Sequence, residues 1–387
     1  MVTAAVFTTH QKHAIISLSM ALALRMFGVS LFLPVLSIYA QEFTNNGHLI
    51  GVALGVYGLV QAVFQVPVGM MSDRIGRKRV ILIGLFIFIL GSILAAVTTN
   101  ILVLILARAM QGAGAISGAV YAYIADVIER DKRSRAMALI GMPFGIAFSI
   151  GIVLGPMLGH WWGIPALFWL CAGLVTISAT YVYFAIEERT ALMNVESKIS
   201  ISEVFSALRQ PGLFKLNLGG FITNFYQTSI LGLFLPSLAQ NYVALNQFWK
   251  IMVPMVAIGT VVMLWSAKKT DSGRSYAMAK LAFILLSASA VVLMLPGFPL
   301  LIIGAILFFT GFSMTQPLLS TAVTMAANQR LVGTTSGLYN MSQFIGTFFG
   351  GAIGGFFLHN IPVFLVILFL LGMLGVFTVA GAIKQLR

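Results

Sequence analysis

The chain has 387 residues, of which 59% are hydrophobic and only 9% are charged, and its mean hydropathy is +0.99. This composition excludes a water-soluble globular protein and indicates that most of the chain lies in hydrocarbon. The net charge of +13 does not indicate nucleic-acid binding, because the basic residues lie in short gaps between apolar segments.

The apolar segments are predicted to span a membrane, since a spanning helix needs about 20 mostly apolar residues. The first begins after Lys12 and is too long for a cleaved signal peptide, so it is predicted to be retained. The fold class is therefore an all-α membrane protein with twelve transmembrane helices. In chain order the predicted spans are 14–40, 50–71, 80–98, 101–125, 136–159, 164–185, 213–238, 250–267, 278–295, 300–326, 333–357 and 362–383.

The distribution of lysine and arginine predicts the orientation. An even number of spans puts both termini on one side, and nearly all of the 23 basic residues fall on that side. The exceptions are Arg25 and Arg108 within spans, and Lys250. Because cytoplasmic loops are enriched in basic residues, we predict a multi-pass protein of a bacterial inner membrane with both termini cytoplasmic.

The longest hydrophilic stretch predicts how the chain is divided. It separates an N-terminal six-helix bundle, residues 1–186, from a C-terminal one, residues 213–387, and residues 187–212 form a predicted cytoplasmic linker. Within that linker, residues 200–208 have amphipathic helical spacing and are predicted to lie along the inner interface.

The two halves also share sequence patterns, about half the chain length apart. Gly151 and Gly155 in span five recur as Gly346 and Gly350 in span eleven, and the Gly-Arg pair at 76–77 recurs at 273–274. Transporters are commonly built from internal repeats around a central site, so the halves are predicted to be pseudo-symmetric.

Three motifs support one family resemblance. Residues 69–79, GMMSDRIGRKR, lie between spans two and three; residues 106–115, LARAMQGAGA, lie in span four; and span five carries a glycine pattern ending at Gly159. Together they resemble the major facilitator superfamily, in particular its twelve-helix drug:proton antiporter branch. The position after Gly159 is His160, where the family's span-five pattern has glycine.

A charge cluster is expected at the inner ends of these helices. Asp73 and Arg77 are four residues apart, and Asp126 closes span four on the same side. The resemblance implies that the cluster latches the two halves on the cytoplasmic side when the transporter is open to the outside. The other interpretation is a topology signal with incidental salt bridges. The expected latch residues are Gly69, Asp73, Arg74, Gly76, Arg77 and Asp126.

Polar residues deep within spans predict a substrate cavity. Arg25 and Arg108 stand out because a charged group inside a membrane is costly and usually faces a cavity or a partner. Hydrogen bonds between helices are the alternative explanation for each residue taken singly. The expected cavity residues are Arg25, Gln61, Gln65, Arg108, Gln111, Asn224, Tyr226, Gln227, Gln316, Asn340 and Gln343.

The span-five stripe of Gly151, Gly155, Pro156 and Gly159 predicts a smooth helix face for close packing. Its resemblance to the antiporter motif favours export over import.

The chain has no nucleotide-binding loop of the GxxxxGK[ST] form, so transport is predicted to be gradient-driven or passive. No carboxylate lies deep in a span, which leaves Asp126, Glu42 and His160 as candidates for proton coupling.

The predicted function is export of a small organic compound, drug-like or anionic, by alternating access in exchange for protons. The alternatives are an importer or facilitator of an organic anion and a non-transporting membrane sensor. We predict a monomer in the lipid bilayer with no metal, no cofactor, no enzymatic site and no nucleic-acid partner.

Overall fold

The computed structural model describes residues 7–129, 132–188, 210–327 and 332–385, and every regular element in those ranges is a helix. The predicted all-α fold is confirmed. The first eight helices are α1 Thr9–Phe32, α2 Leu36–Gln41, α3 Gly47–Ile75, α4 Arg77–Val97, α5 Ile101–Ala113, α6 Ser117–Val127, α7 Arg133–Trp162 and α8 Ile164–Ala185.

The remaining helices follow the predicted linker. They are α9 Pro211–Tyr226, α10 Leu235–Ala239, α11 Trp249–Lys269, α12 Ser275–Leu293, α13 Phe298–Ala326, α14 Val332–Phe356 and α15 Ile361–Gln385. A π-helical segment, Gln227–Phe234, joins α9 to α10. The predicted interfacial helix at 200–208 lies outside the described residues.

Each predicted span falls on one helix or on consecutive helical pieces. Among the described residues, nine helices are long and apolar enough to cross a membrane, with Leu245–Leu293 counted as one of them. That long helix contains Gly273, whose φ of +82° breaks the helical backbone between α11 and α12. The multi-pass membrane architecture is therefore clear, and the count of twelve crossings stays a prediction.

Three predicted spans are interrupted. Span one is split into α1 and α2 at residues 33–35. The predicted span four is split into α5 and α6 around Gly114, where a β-carbon would lie 2.6 Å from the Gly84 carbonyl of α4. The predicted span seven contains the π-helical segment, which is followed by Pro236, a residue with no N–H for the regular i to i−4 bond. Such π-helical turns occur often at functional sites.

The helices cluster into two compact units. Unit 1 comprises residues 1–33 and 63–197, and unit 2 comprises residues 34–62 and 198–387. The boundary between them falls within α3, whose first part belongs to unit 2 and whose last part belongs to unit 1. The division into two six-helix halves stays a prediction.

The same packing order occurs inside both units. In unit 1, α1 packs against α7 and α8, and α4 packs against α5 and α8. In unit 2, α9 packs against α14 and α15, and α12 packs against α13 and α15. This correspondence follows the repeated glycine patterns of the sequence, because α7 and α14 carry those patterns.

Candidate transport site

The charge cluster at the end of α3 is centred on Arg77. Its side chain is only 8% exposed, and its Nε donates to Asp126 Oδ2 at 3.0 Å. Arg77 also forms an ion pair with Asp73 one turn earlier, and its Nη1 donates to the Ser72 hydroxyl at 2.6 Å. The guanidinium therefore ties the end of α3 to the end of α6 through charge-assisted bonds, which are stronger than neutral ones.

The backbone turn before Arg77 requires a glycine. Gly76 has a φ of +106°, a conformation that residues with a β-carbon rarely adopt. A β-carbon there would also collide with the Glu188 carboxylate, which accepts hydrogen bonds from the N–H groups of Lys78 and Arg79, each at 3.2 Å. Glu188 thus caps the positive end of α4 and holds the turn that aims Arg77.

The other expected latch residues lie at the same helix end. Arg74 is exposed in the last turn of α3, and Gly69 has open space where a side chain would project. The Gly69 carbonyl accepts a hydrogen bond from the Ser72 hydroxyl at 2.7 Å, and Arg74 takes part in none of the Arg77 bonds described.

The two intramembrane arginines meet in one buried cluster inside unit 1. Arg25 is 5% exposed and Arg108 is 1% exposed. Arg25 Nη2 donates to the Gln111 carbonyl at 3.4 Å, and Arg108 Nη1 donates to the Gln111 side-chain oxygen at 2.5 Å. The Gln111 amide donates in turn to the Ser92 hydroxyl at 2.8 Å.

Aromatic rings complete this arginine cluster. The Arg25 guanidinium lies 5.0 Å from the centre of the Phe88 ring, and that of Arg108 lies 4.8 Å from the Phe32 ring. A cation over an aromatic face is attracted by the ring quadrupole, and this attraction strengthens when the pair is removed from water. Helices α1, α4 and α5 thus concentrate two positive charges at one buried point.

The paired glutamines of α3 have different surroundings. Gln65 lies in unit 1, where its amide donates to the Ser117 hydroxyl of α6 at 3.3 Å. Gln61 lies in the part of α3 that belongs to unit 2, and its side chain is buried.

In unit 2 the structure brings Gln316 and Gln343 together. Gln343 Nε2 donates to Gln316 Oε1 at 3.2 Å and to the hydroxyl of the buried Tyr339 at 3.1 Å. This small polar group joins α13 to α14. Asn340, one residue beyond Tyr339, is half-buried.

The three expected cavity residues of span seven have different surroundings. Asn224 donates to the Gly220 carbonyl of its own helix at 3.1 Å, and half-buried Gln227 begins the π-helical segment. Tyr226 is fully buried and its hydroxyl donates to the Leu368 carbonyl of α15.

The glycine stripe of α7 lies directly on α1. A β-carbon at Gly151 would collide with the Ser30 hydroxyl, and one at Gly155 would collide with the Leu31 carbonyl. In unit 2, Gly346 and Gly350 of α14 meet the carbonyls of Phe221 and Phe225 on α9 in the same way. Pro156 and Gly159 are both buried in α7. These contacts allow two helix backbones to approach closely.

The three candidates for proton coupling lie at the ends of three different helices. Asp126 is paired with Arg77, and its side chain is 33% exposed. Glu42 is exposed at the C-terminal cap of α2, and His160 is exposed in the last turn of α7. Only Asp126 belongs to one of the charged clusters described here.

Several contributing residues were not among the expected ones, including Phe32, Phe88 and Ser117. Ser72 and Ser92 are ordinary membrane-helix serines, Tyr339 is one of many aromatic residues, and Glu188 is more than a hundred residues from the backbone groups it caps. Ser72 lies inside the 69–79 motif, which could have drawn attention to it. The others have no local sequence signal.

The comparisons with known proteins agree with this architecture. Residues 18–351 match the Major Facilitator Superfamily, and the chain therefore belongs to that family of membrane transporters. The resemblance drawn from the sequence motifs is confirmed.

Two relatives and two solved structures illustrate the relationship. The chain is 35% identical over 354 residues to the inner membrane transport protein YajR of Escherichia coli (strain K12), covering 90% of this chain and 78% of the relative. It is 25% identical over 368 residues to multidrug resistance protein 2 of Bacillus subtilis (strain 168), covering 89% and 88%.

Among solved structures, a bacterial homolog of the human lysosomal transporter Spinster superposes with a TM-score of 0.75 at 12% identity, covering 99% of both chains. The human organic anion transporter MFSD10 (TETRAN) superposes with a TM-score of 0.69 at 17% identity, covering 95% of this chain and 99% of that one. These likenesses concern the fold.

Proposed function

We propose that this protein exports a small organic compound, drug-like or anionic, across a bacterial inner membrane in exchange for protons. The family supports a transporter that works by alternating access, and the distribution of basic residues supports cytoplasmic termini. Relatives named as multidrug resistance and tetracycline resistance proteins favour export.

The observation that carries the proposal is the buried cluster of Arg25, Arg108 and Gln111. Charged residues inside a membrane are retained mainly along substrate and ion pathways. Two guanidinium groups at one point create a positive potential that favours an anionic group, and the flanking rings of Phe32 and Phe88 suit an organic body. An organic anion therefore fits the chemistry of this cluster.

The cluster of Asp73, Arg77 and Asp126 supports a role in conformational switching. Its bonds lie at the cytoplasmic ends of the helices in the proposed orientation, and the buried Arg77 depends on both carboxylates. We infer that it stabilises the state in which the cytoplasmic side is closed. Asp126 is the preferred candidate for proton coupling, because it is the one of the three candidates that belongs to the Arg77 cluster.

An importer or facilitator of an organic anion is the second candidate, because the arginine cluster would suit an anion moving in either direction. The glycine stripe of α7 against α1 and the resistance-protein relatives favour the exporter.

The test uses inside-out membrane vesicles that contain the protein and are energised by respiration. Their accumulation of fluorescent anionic, neutral and cationic compounds is measured with and without a protonophore. We expect protonophore-sensitive uptake, strongest for anionic compounds. Uptake that is indifferent to the protonophore, or strongest for cations, would contradict the proposal.

A further inference from the structure

A surface groove lies between the first turns of α1 and α7 in unit 1. Its volume is about 550 Å³, within the range of small-molecule sites. Its lining is mainly apolar and includes Phe7, Ile15, Ile16, Met20, Leu139 and Pro143.

The floor of the groove has little capacity for further hydrogen bonds. Pro143 has no N–H to donate to the Leu139 carbonyl, and the Ser19 hydroxyl donates to that carbonyl instead, at 3.4 Å. The polar atoms of the floor are therefore bonded to each other. An apolar chain fits this surface better than a polar molecule does.

The mouth of the groove is basic. Helices α1 and α7 run in the same direction, because Ser19 meets Leu139 and Ser30 meets Ala147 further along. Lys12 itself lines the groove, and Arg135 precedes the groove residue Leu139 by one turn, about 6 Å along α7. Lys12 and Arg135 are both exposed and lie at the same end of the groove.

In the part of the chain that the structure describes, acidic groups near the mouth of the groove leave Lys12 and Arg135 available to bind an anion. Lys12 and Arg135 form no ion pair with any residue in the described ranges. Glu129 is already engaged by Lys132 at 3.2 Å and by the Gln11 amide at 3.2 Å. Its own backbone N–H, Lys132 and Gln11 hold the pKa of the Glu129 carboxyl below its usual range, so it stays ionised and bonded there.

We propose that this groove binds an anionic phospholipid of the cytoplasmic leaflet. Lys12 and Arg135 hold the phosphodiester, and one acyl chain lies along Ile16, Met20 and Leu139. The orientation proposed from the basic residues puts this mouth at the cytoplasmic interface, where anionic headgroups lie. Basic pockets between membrane helices on that side are suited to such headgroups.

The experiment uses the full chain in phosphatidylcholine vesicles doped with phosphatidylglycerol that carries a photoactivatable diazirine on one acyl chain. After illumination, the labelled peptides are identified by mass spectrometry. We expect labelling near Met20 and Leu139, displaced by unlabelled phosphatidylglycerol and not by extra phosphatidylcholine. The double variant Lys12→Gln/Arg135→Gln should label at least roughly fivefold less, the effect of losing one cation at a membrane surface.

The matched control is Arg274→Gln/Lys280→Gln, which removes the same two residue types from exposed positions near the start of α12. It should label like the unmodified protein. Replacing Ile16 by tryptophan fills the groove and should abolish labelling with both cations in place. Equal labelling of both double variants, no preference for the anionic headgroup, or displacement by soluble glycerol phosphate would each overturn the proposal.

Discussion

Arg77 is the residue on which the conformational proposal depends most. It is buried, it bonds two carboxylates and a hydroxyl, and the positive φ of Gly76 and the Glu188 cap direct it inward. A hydrogen bond to a charged group contributes about 1.5–3 kcal/mol net. If these bonds exist in one transport state only, their loss shifts the balance between states by about tenfold or more.

We therefore expect Arg77→Ala to reduce the initial rate of transport by about tenfold or more while the protein still inserts into the membrane. Arg274→Ala is the matched control, since Arg274 is an exposed arginine that also follows a glycine of positive φ and lies outside the latch set. Vesicle uptake normalised to the amount of inserted protein measures both. Equal rates for the two variants would remove the switching role from Arg77.

Arg25 is the residue that tests the charge of the substrate. Arg25→Gln removes one of the two positive charges of the buried cluster, so it should weaken transport of anionic compounds more than that of neutral compounds. Arg25→Lys keeps the charge and should retain part of the preference. The apparent KM is measured for an anionic and a neutral member of one compound series. An equal rise for both would show that Arg25 only supports the packing.

At the residue scale, the sequence predicted partners whose spacing is local or whose motif is known. The pairing of Arg77 with Asp73 follows from their separation of one helical turn, and Asp126 was expected on the same side. The meeting of Arg25 with Gln111 depends on how α1 packs against α5, which hydropathy does not encode. Glu188 was missed for the same reason, since its contact with the start of α4 arises only in the folded unit.

At the element scale, a glycine-lined contact joins the first part of α3 to α14 within unit 2. A β-carbon on Gly51 would lie 2.8 Å from the Gly355 α-carbon and would also collide with the Gly351 carbonyl, and Gly47 meets Gly355 similarly. The repeated glycine pattern of the sequence drew attention to α14 and not to its partner helix α3. A face of small residues predicts close packing, and the packed helix has to be found in three dimensions.

The glycine-lined contact between α3 and α14 predicts how alanine substitutions change stability. Alanine favours a helix over glycine by about 1 kcal/mol, so a substitution without a clash should stabilise a helix. Gly141→Ala in α7 meets open space and should keep or raise the apparent melting temperature of the purified protein. Gly51→Ala faces backbone atoms of α14 and should lower it. Similar shifts in melting temperature for both variants would show that the close contact between α3 and α14 does not contribute to stability.

The interrupted helices could be predicted only as apolar segments. Hydropathy places a span at 213–238 and cannot show that Gln227–Phe234 is π-helical or that Tyr226 bonds to α15. The predicted boundaries of the uninterrupted helices were closer to the observed ones, because apolar length and charged ends determine them.

At the scale of the whole molecule, composition and the distribution of basic residues were enough to predict a multi-pass helical membrane protein. Three short motifs were enough to predict its family. The repeated packing order of units 1 and 2 follows the repeated glycine patterns. Substrate and coupling ion depend on a few side chains inside that common framework, and neither packing nor hydropathy determines them.

The central claim is export coupled to protons, and one measurement tests it directly. The protein is reconstituted in vesicles that contain a pH-sensitive dye, and a gradient of an organic anion is imposed across the bilayer with the membrane potential clamped. Exchange predicts that protons move opposite to the compound, and that Asp126→Asn greatly reduces this proton movement. Proton movement in the same direction as the compound, or compound flux without any proton movement, would contradict the account.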